Sequence, residues 1–271
     1  MTTTAAAAAR RVTYQLETLW DYDYVPTHDE LATLYETAKK NQWNGSAAID
    51  WTRPVGAEGP VLNVQMAFLG TDFFPKLSVE ERKEVEVRVS AWRLSQFLHG
   101  EQGALVVCGQ LVNSIPELDA KLYASTQVVD GLAIAAFNVM RKQTGDPTLA
   151  QLLDYVLQDE GRHVNFGYFA LRRSIPNMEP AKREYLENFT FKACDQLYAR
   201  DEQTGFRSVK NVWSEMGWDG EAIWRDTVTH SQTTKSFNSF LFQENLMPRL
   251  KRLGLISERI APRYQELGLL D

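Results

Sequence analysis

One carboxylate and one imidazole interrupt the apolar face of a segment that is otherwise patterned as a long helix. The segment covers residues 147 to about 173, and Glu160 and His163 lie within it, three residues apart. On a helix this spacing places both side chains on one face. The same face carries aliphatic and small residues before and after the pair: Leu149, Leu152, Leu153, Val156, Leu157, Val164, Gly167, Ala170 and Leu171. Glu160 and His163 are therefore predicted to point toward a core, where a carboxylate without a partner is costly.

A Glu-x-x-His pair aimed between helices is half of the ligand set with which helix bundles bind iron or manganese. The alternative is a buried hydrogen bond between Glu160 and His163 without a metal, and the pattern alone leaves both open. Glu101 interrupts a second apolar face in the same way, on a predicted helix that follows a capping box at residues 78–81. Glu101, Glu160 and His163 are therefore candidate metal ligands.

Helix start and stop signals organise most of the remaining chain, and no convincing alternating strand pattern is present. The sequence predicts an all-α fold. Residues 1–60 are expected to form an N-terminal arm, a short helix and a loop packed on the body, and residues 61–271 a helical domain with additional C-terminal helices. The predicted helices have approximate bounds of 27–41, 78–112, 116–143, 147–173, 180–200, 206–216 and 220–253.

Composition excludes several classes of function. The net charge of −6 argues against a nucleic-acid partner, since proteins that bind phosphate backbones usually carry a basic patch. The longest apolar stretch, residues 132–140, is too short to span a bilayer, and residues 1–11 lack the apolar core of a signal peptide. Cys108 and Cys194 have no C-x-x-C spacing, which favours reduced core thiols. We therefore expect a cytoplasmic protein that binds neither nucleic acid nor membrane.

Three stretches carry a resemblance to a known family: residues 92–104 (WRLSQFLHGEQGA), 122–137 (LYASTQVVDGLAIAAF) and 159–163 (DEGRH). They resemble ferritin-like di-iron carboxylate proteins, in particular the oxygenase branch related to ribonucleotide reductase small subunits and arylamine N-oxygenases. The resemblance extends over about residues 43–173. It implies a ferritin-like helical bundle whose metal centre, di-iron or containing manganese, uses O2 to oxidise a small organic substrate with electrons from an external donor. A homodimer is also expected.

The chain departs from the family pattern at Asp130. In the family, the run that ends here is followed directly by a second Glu-x-x-His motif, whereas in this sequence Gly131 begins the pattern of the next core helix. Only His163, among four histidines, has a Glu three residues before it. The resemblance implies that Asp130 occupies the place of the family's fourth ligand, a Glu. Alternatively, Asp130 is simply the last residue of the preceding motif.

The join between Asp130 and Gly131 has two explanations. Either the protein lacks a helix pair, which leaves an incomplete or mononuclear site, or a segment is missing from this sequence. We favour the second, because loss of a central helix pair would leave a large apolar surface open. The predicted function is an O2-dependent non-haem di-iron or Mn/Fe oxygenase. The alternative is a degenerate ferritin-like scaffold or binding protein with an incomplete metal site.

Residues beside the motifs are candidates for supporting roles. Gln96, Asp159 and Arg162 are predicted to orient His163 or the carboxylates near it. Tyr123 is a candidate redox-active tyrosine, and core packing with a satisfied hydroxyl is the alternative. No phosphate-binding loop or nucleophile elbow competes with the metal site.

Overall fold

The computed structural model describes residues 15, 17–20, 22, 24–25, 28–126, 133–199, 209–231 and 239–271. These residues form helices and connecting loops with no strand, which confirms the all-α class. None of the helices in these ranges is both long and apolar enough to cross a membrane. The helices are α1 Asp29–Lys40, α2 Gly45–Ala48, α3 Val79–Ser114, α4 Leu118–Thr126, α5 Ala133–Gln143, α6 Pro147–Ser174, α7 Pro180–Ala199, α8 Val209–Glu215, α9 Gly220–His230, α10 Met247–Arg252 and α11 Ala261–Glu266.

The two long helices begin where the sequence predicts. At the start of α3, the Ser78 hydroxyl accepts the Glu81 N–H at 3.2 Å and the Glu81 carboxylate accepts the Ser78 N–H at 2.7 Å. At the start of α6, Asp146 accepts the Leu149 N–H at 2.8 Å and Pro147 occupies the first turn. Both caps satisfy backbone donors that a helix cannot satisfy itself.

The start of α1 differs from the predicted capping box at residues 27–30. The helix begins after His28, which caps it without a side-chain hydrogen bond, and Thr27 lies outside the described residues. The His28 N–H instead donates to Asp119 on α4 at 2.8 Å. A distant carboxylate therefore anchors this helix start, which the local motif does not predict.

Three other predicted segments are shorter or less regular in the structure. The predicted helix over 116–143 corresponds to α4 and α5, and the residues between them, 127–132, lie outside the description. The apolar run over 61–69 contains a 3₁₀ turn, Val64–Phe68. The predicted helix over 220–253 ends first at His230 and resumes as a π-helix, Phe240–Leu246, that leads into α10.

Helix α6 contributes to all three apolar clusters of the described chain. Residues of its first half, such as Leu153, belong to one cluster with residues of α3, α5, α8, α9 and the 61–77 loop. Phe166 packs with α1 and α4, and Leu171 packs with α7 and the C-terminal helices. Because α6 is surrounded in this way, the Glu-x-x-His pair in its middle lies within the body of the protein.

Asp146 joins the start of α6 to the loop that contains Gly56. We expect Asp146→Ala to lower the free energy of unfolding by about 2 kcal/mol. Besides capping α6, its carboxylate accepts the Gly56 N–H at 2.7 Å. Asp219→Ala is the matched control, because Asp219 caps α9 through Ala222 and is exposed; about 1 kcal/mol is expected there. Urea unfolding measures the loss of stability in each variant. Equal losses in the two variants would mean that the hydrogen bond to Gly56 adds no stability beyond the helix cap.

The contribution of Asp146 should depend on pH. Burial raises the pKa of Asp146, but hydrogen bonds from backbone N–H groups, that of Gly56 first, outweigh it and hold the pKa below its usual value. A carboxyl whose pKa is lower in the folded protein stabilises above the unfolded pKa, near 3.8, and loses this effect as pH falls through the folded value. The stability difference between wild type and Asp146→Ala should therefore shrink below about pH 4.

Candidate metal centre

Glu160 and His163 are both buried, as their spacing predicts. Glu160 is 2% exposed and His163 is 6% exposed. The distance from His163 Nδ1 to Glu160 Oε2 is 3.6 Å, which is too long for a hydrogen bond. Within the described chain Glu160 Oε2 is buried without a hydrogen-bond partner. The simple buried hydrogen bond considered as the alternative is therefore not formed, and a carboxylate oxygen is left for another partner.

Glu101 on α3 is partly buried and lies within electrostatic reach of the α6 pair. Burial raises the pKa of the Glu101 carboxyl, the charge of Glu160 raises it further, and the charge of His163 opposes this rise. The three predicted ligands, on α3 and α6, are thus within electrostatic reach of one another. In the part of the chain that is described, however, no three or more His, Cys, Asp or Glu side chains are grouped closely enough to hold a metal ion.

Asp130, the fourth candidate ligand, lies outside the described residues, as does its join to Gly131. His99 is exposed on α3. The His230 side chain is half exposed and contacts Asp226 at 2.7 Å, and Asp226 also accepts the N–H groups of residues 72 and 73. His230 therefore belongs to a separate contact between α9 and a loop.

Tyr123 on α4 is fully buried beside the candidate site. Its ring stacks on Phe166 with centroids 4.7 Å apart. Burial raises the pKa of Tyr123 above its usual value; the charge of Arg162 opposes this, and the charges of Asp159 and Glu160 add to it. The phenol is therefore held neutral against the turn of α6 that carries the Glu-x-x-His pair.

Asp159 ties the same turn of α6 to a distant loop. Its carboxylate accepts the indole N–H of Trp43 at 2.8 Å and a second hydrogen bond from the Arg162 side chain. Trp43 also stacks on Tyr155, with ring centroids 4.7 Å apart. Asp159 and Arg162 were predicted to support the site, whereas Trp43 was not, because its partner is 116 residues away in the sequence. Of the predicted supporting residues, Gln96 contacts only its neighbour Ser95 among the side-chain hydrogen bonds described.

Comparisons of this chain with protein-family models, with curated proteins and with solved structures find no match. The residues of the site, and not the fold, therefore indicate the function, since a helical architecture hosts many unrelated activities.

Proposed function

We propose that this protein is a ferritin-like non-haem di-iron or Mn/Fe oxidoreductase that uses O2 to oxidise a small organic substrate. The observation that carries the proposal is the state of Glu160. Its carboxylate is 2% exposed, one oxygen has no hydrogen-bond partner in the described chain, and His163 is 3.6 Å away. A buried polar group without a hydrogen-bond partner costs about 1–3 kcal/mol, and a bound cation supplies the missing partner.

The residues that would hold the metal are Glu101, Glu160 and His163, with Asp130 as a further candidate. Carboxylates and an imidazole form the donor set that iron and manganese prefer. When bound, the metal pair supplies the reduction of O2, with electrons from an external donor. Tyr123 is fully buried on α4, within electrostatic reach of Glu160. The remaining proposed properties are a homodimer in the cytoplasm without a nucleic-acid or membrane partner.

A second candidate function is a ferritin-like scaffold or binding protein that has lost the reactive site. Two observations favour it. The sequence contains a single Glu-x-x-His motif, and the described residues form no cluster of three close ligands. In this case Glu160 is a remnant that only destabilises the core.

Elemental analysis of protein purified without chelator, together with its intact mass, tests the proposed function. We expect bound Fe or Mn, and O2 consumption when a reductant is supplied. A mass above 30.9 kDa would mean that a missing segment supplies the absent ligands. Protein that contains no metal and takes up neither Fe(II) nor Mn(II) would support the scaffold instead.

A further inference from the structure

A surface groove lies between α9 and the 61–77 loop, and none of the candidate metal ligands lines it. Its volume is about 700 Å³, which is within the range of sites that bind small molecules. Its lining combines aromatic and aliphatic side chains with charged side chains of both signs. An apolar wall with a few polar groups is typical of a ligand site.

The core holds the apolar wall of the groove in place. Trp218 is half-buried and lies parallel to the buried Trp213, with ring centroids 6.2 Å apart. Phe73 packs edge-on against Trp213 at 5.8 Å, and Ile223 is buried. Because buried residues fix these side chains from behind, the wall is formed before a ligand arrives. It suits an aromatic or large aliphatic group.

Asp226 joins the two sides of the groove. Its carboxylate on α9 accepts the N–H groups of Asp72 at 2.8 Å and Phe73 at 3.1 Å, and it contacts His230 Nδ1 at 2.7 Å. Burial raises the pKa of Asp226, but the hydrogen bonds with His230 and with the two N–H groups outweigh it and hold the pKa below its usual value. The carboxylate is therefore ionised and already partnered, so it fixes the loop on α9 and leaves ligand recognition to other groups.

Three further charged side chains line the groove without a hydrogen-bond or ion-pair partner in the described part of the chain. They are the cations of Lys76 and Arg225 and the carboxylate of Asp72, and all three residues are exposed. Lys76 and Arg225 supply the donors that bind a carboxylate. Asp72 supplies an acceptor for an ammonium group. The groove therefore offers partners for both charges of a zwitterion.

We propose that this groove binds a free amino acid with an aromatic or large apolar side chain. Lys76 and Arg225 bind its carboxylate, and Asp72 binds its ammonium group. Its side chain packs on the wall that contains Trp218 and Phe73. An amino acid provides a partner for every unpaired charge of the groove, whereas a ligand with a single charge leaves at least one of them unpaired. Because no candidate metal ligand takes part, this site does not depend on the function proposed above.

Three probes with the same phenylethyl body test the site: L-phenylalanine, 3-phenylpropionate and phenethylamine. At pH 7 they carry both charges, the carboxylate alone and the ammonium group alone. Titrations of the full chain followed by ligand-observed NMR measure each dissociation constant. L-phenylalanine should bind at least about threefold more tightly than either of the others, because each of them loses one ion pair.

The histidines show where the probe binds. His230 lines the groove, whereas His99 lies on α3 and is exposed. L-phenylalanine should shift the imidazole C–H resonances of His230, which His230→Gln identifies, and leave those of His99 unchanged. If His99 shifts and His230 does not, the probe binds elsewhere and the proposed site is wrong.

Two charge-removing variants separate the roles of the groove residues. Arg225→Gln should weaken L-phenylalanine and 3-phenylpropionate by at least about threefold and leave phenethylamine unchanged. Asp72→Asn should weaken L-phenylalanine and phenethylamine and not 3-phenylpropionate. Both residues are exposed, so the fold should persist. Lys192→Gln is the control, because it removes an exposed charge on α7 and should bind all three probes as wild type does.

The outcomes separate this site from the proposed function. If L-phenylalanine binds no more tightly than 3-phenylpropionate, or if Lys192→Gln weakens it as much as Arg225→Gln does, the amino-acid site is wrong. Metal content is a separate measurement, and Arg225→Gln and Asp72→Asn should keep the wild-type value. A protein without metal that still prefers L-phenylalanine would retain the groove site and lose the oxygenase function.

Discussion

Glu160→Leu is expected to abolish metal binding and, in the metal-free protein, to raise the free energy of unfolding by about 1–3 kcal/mol. The carboxylate is 2% exposed and one of its oxygens has no hydrogen-bond partner in the described chain. Replacing such a group by an apolar side chain of similar volume removes a desolvation cost without leaving a cavity. A residue that weakens the metal-free fold is kept for a reason other than stability, and metal binding is the reason proposed for Glu160.

Glu187→Leu is the matched control for this prediction. Glu187 on α7 is 3% exposed, nearly the same as Glu160, but one of its carboxylate oxygens accepts two hydrogen bonds. It accepts hydrogen bonds from Ser257 at 2.9 Å and Arg259 at 2.7 Å, and Arg183 lies 3.6 Å away. Removing one member of such a buried network should lower the free energy of unfolding by roughly 3 kcal/mol or more.

Urea unfolding of the metal-free proteins, and Mn(II) content after dialysis, measure both effects. The two substitutions should change stability in opposite directions, and only Glu160→Leu should lose Mn(II). If Glu160→Leu loses as much stability as Glu187→Leu, then Glu160 has a protein partner and its burial needs no metal.

The sequence predicts the helix starts whose partners are close in the chain. Ser78 and Glu81 satisfy each other across three residues, and Asp146 caps Leu149 over the same distance. At the start of α1, the His28 N–H is bound by a carboxylate 91 residues away, a contact that the predicted capping box does not include. Helix caps are thus predictable when they are local, and tertiary contacts override them when they are not.

The positions of candidate ligands are likewise predictable only where they depend on spacing along one helix. Spacing along one helix fixes the direction of Glu160 and His163, and both are buried as expected. Spacing does not fix how closely α3 approaches α6, so Glu101 lies within electrostatic reach of the pair without forming a three-ligand group. Glu160 and Glu187 differ in their hydrogen-bond partners, and the sequence does not predict this difference. It depends on distant residues such as Arg259, 72 residues from Glu187.

Trp213→Ala is expected to lower the free energy of unfolding by about 4 kcal/mol, because it removes the largest fully buried side chain in the described protein. The indole is 1% exposed. Its ring packs edge-on against Phe68 and Phe73 at 5.5 and 5.8 Å and parallel to Trp218 at 6.2 Å. Truncation leaves a cavity where α8 meets the 61–77 loop. Trp20→Ala, at a 73% exposed position, should change stability by less than about 0.5 kcal/mol.

Measured together, Trp213→Ala and Glu160→Leu separate packing from chemistry. Urea unfolding should show a large loss for Trp213→Ala, while Mn(II) bound per folded chain stays at the wild-type value, because no candidate ligand is changed. Glu160→Leu should give the reverse, a more stable protein that binds no Mn(II). If folded Trp213→Ala also loses Mn(II), then the position of α6 depends on this aromatic cluster. The cluster would then belong to the metal centre as well as to the core.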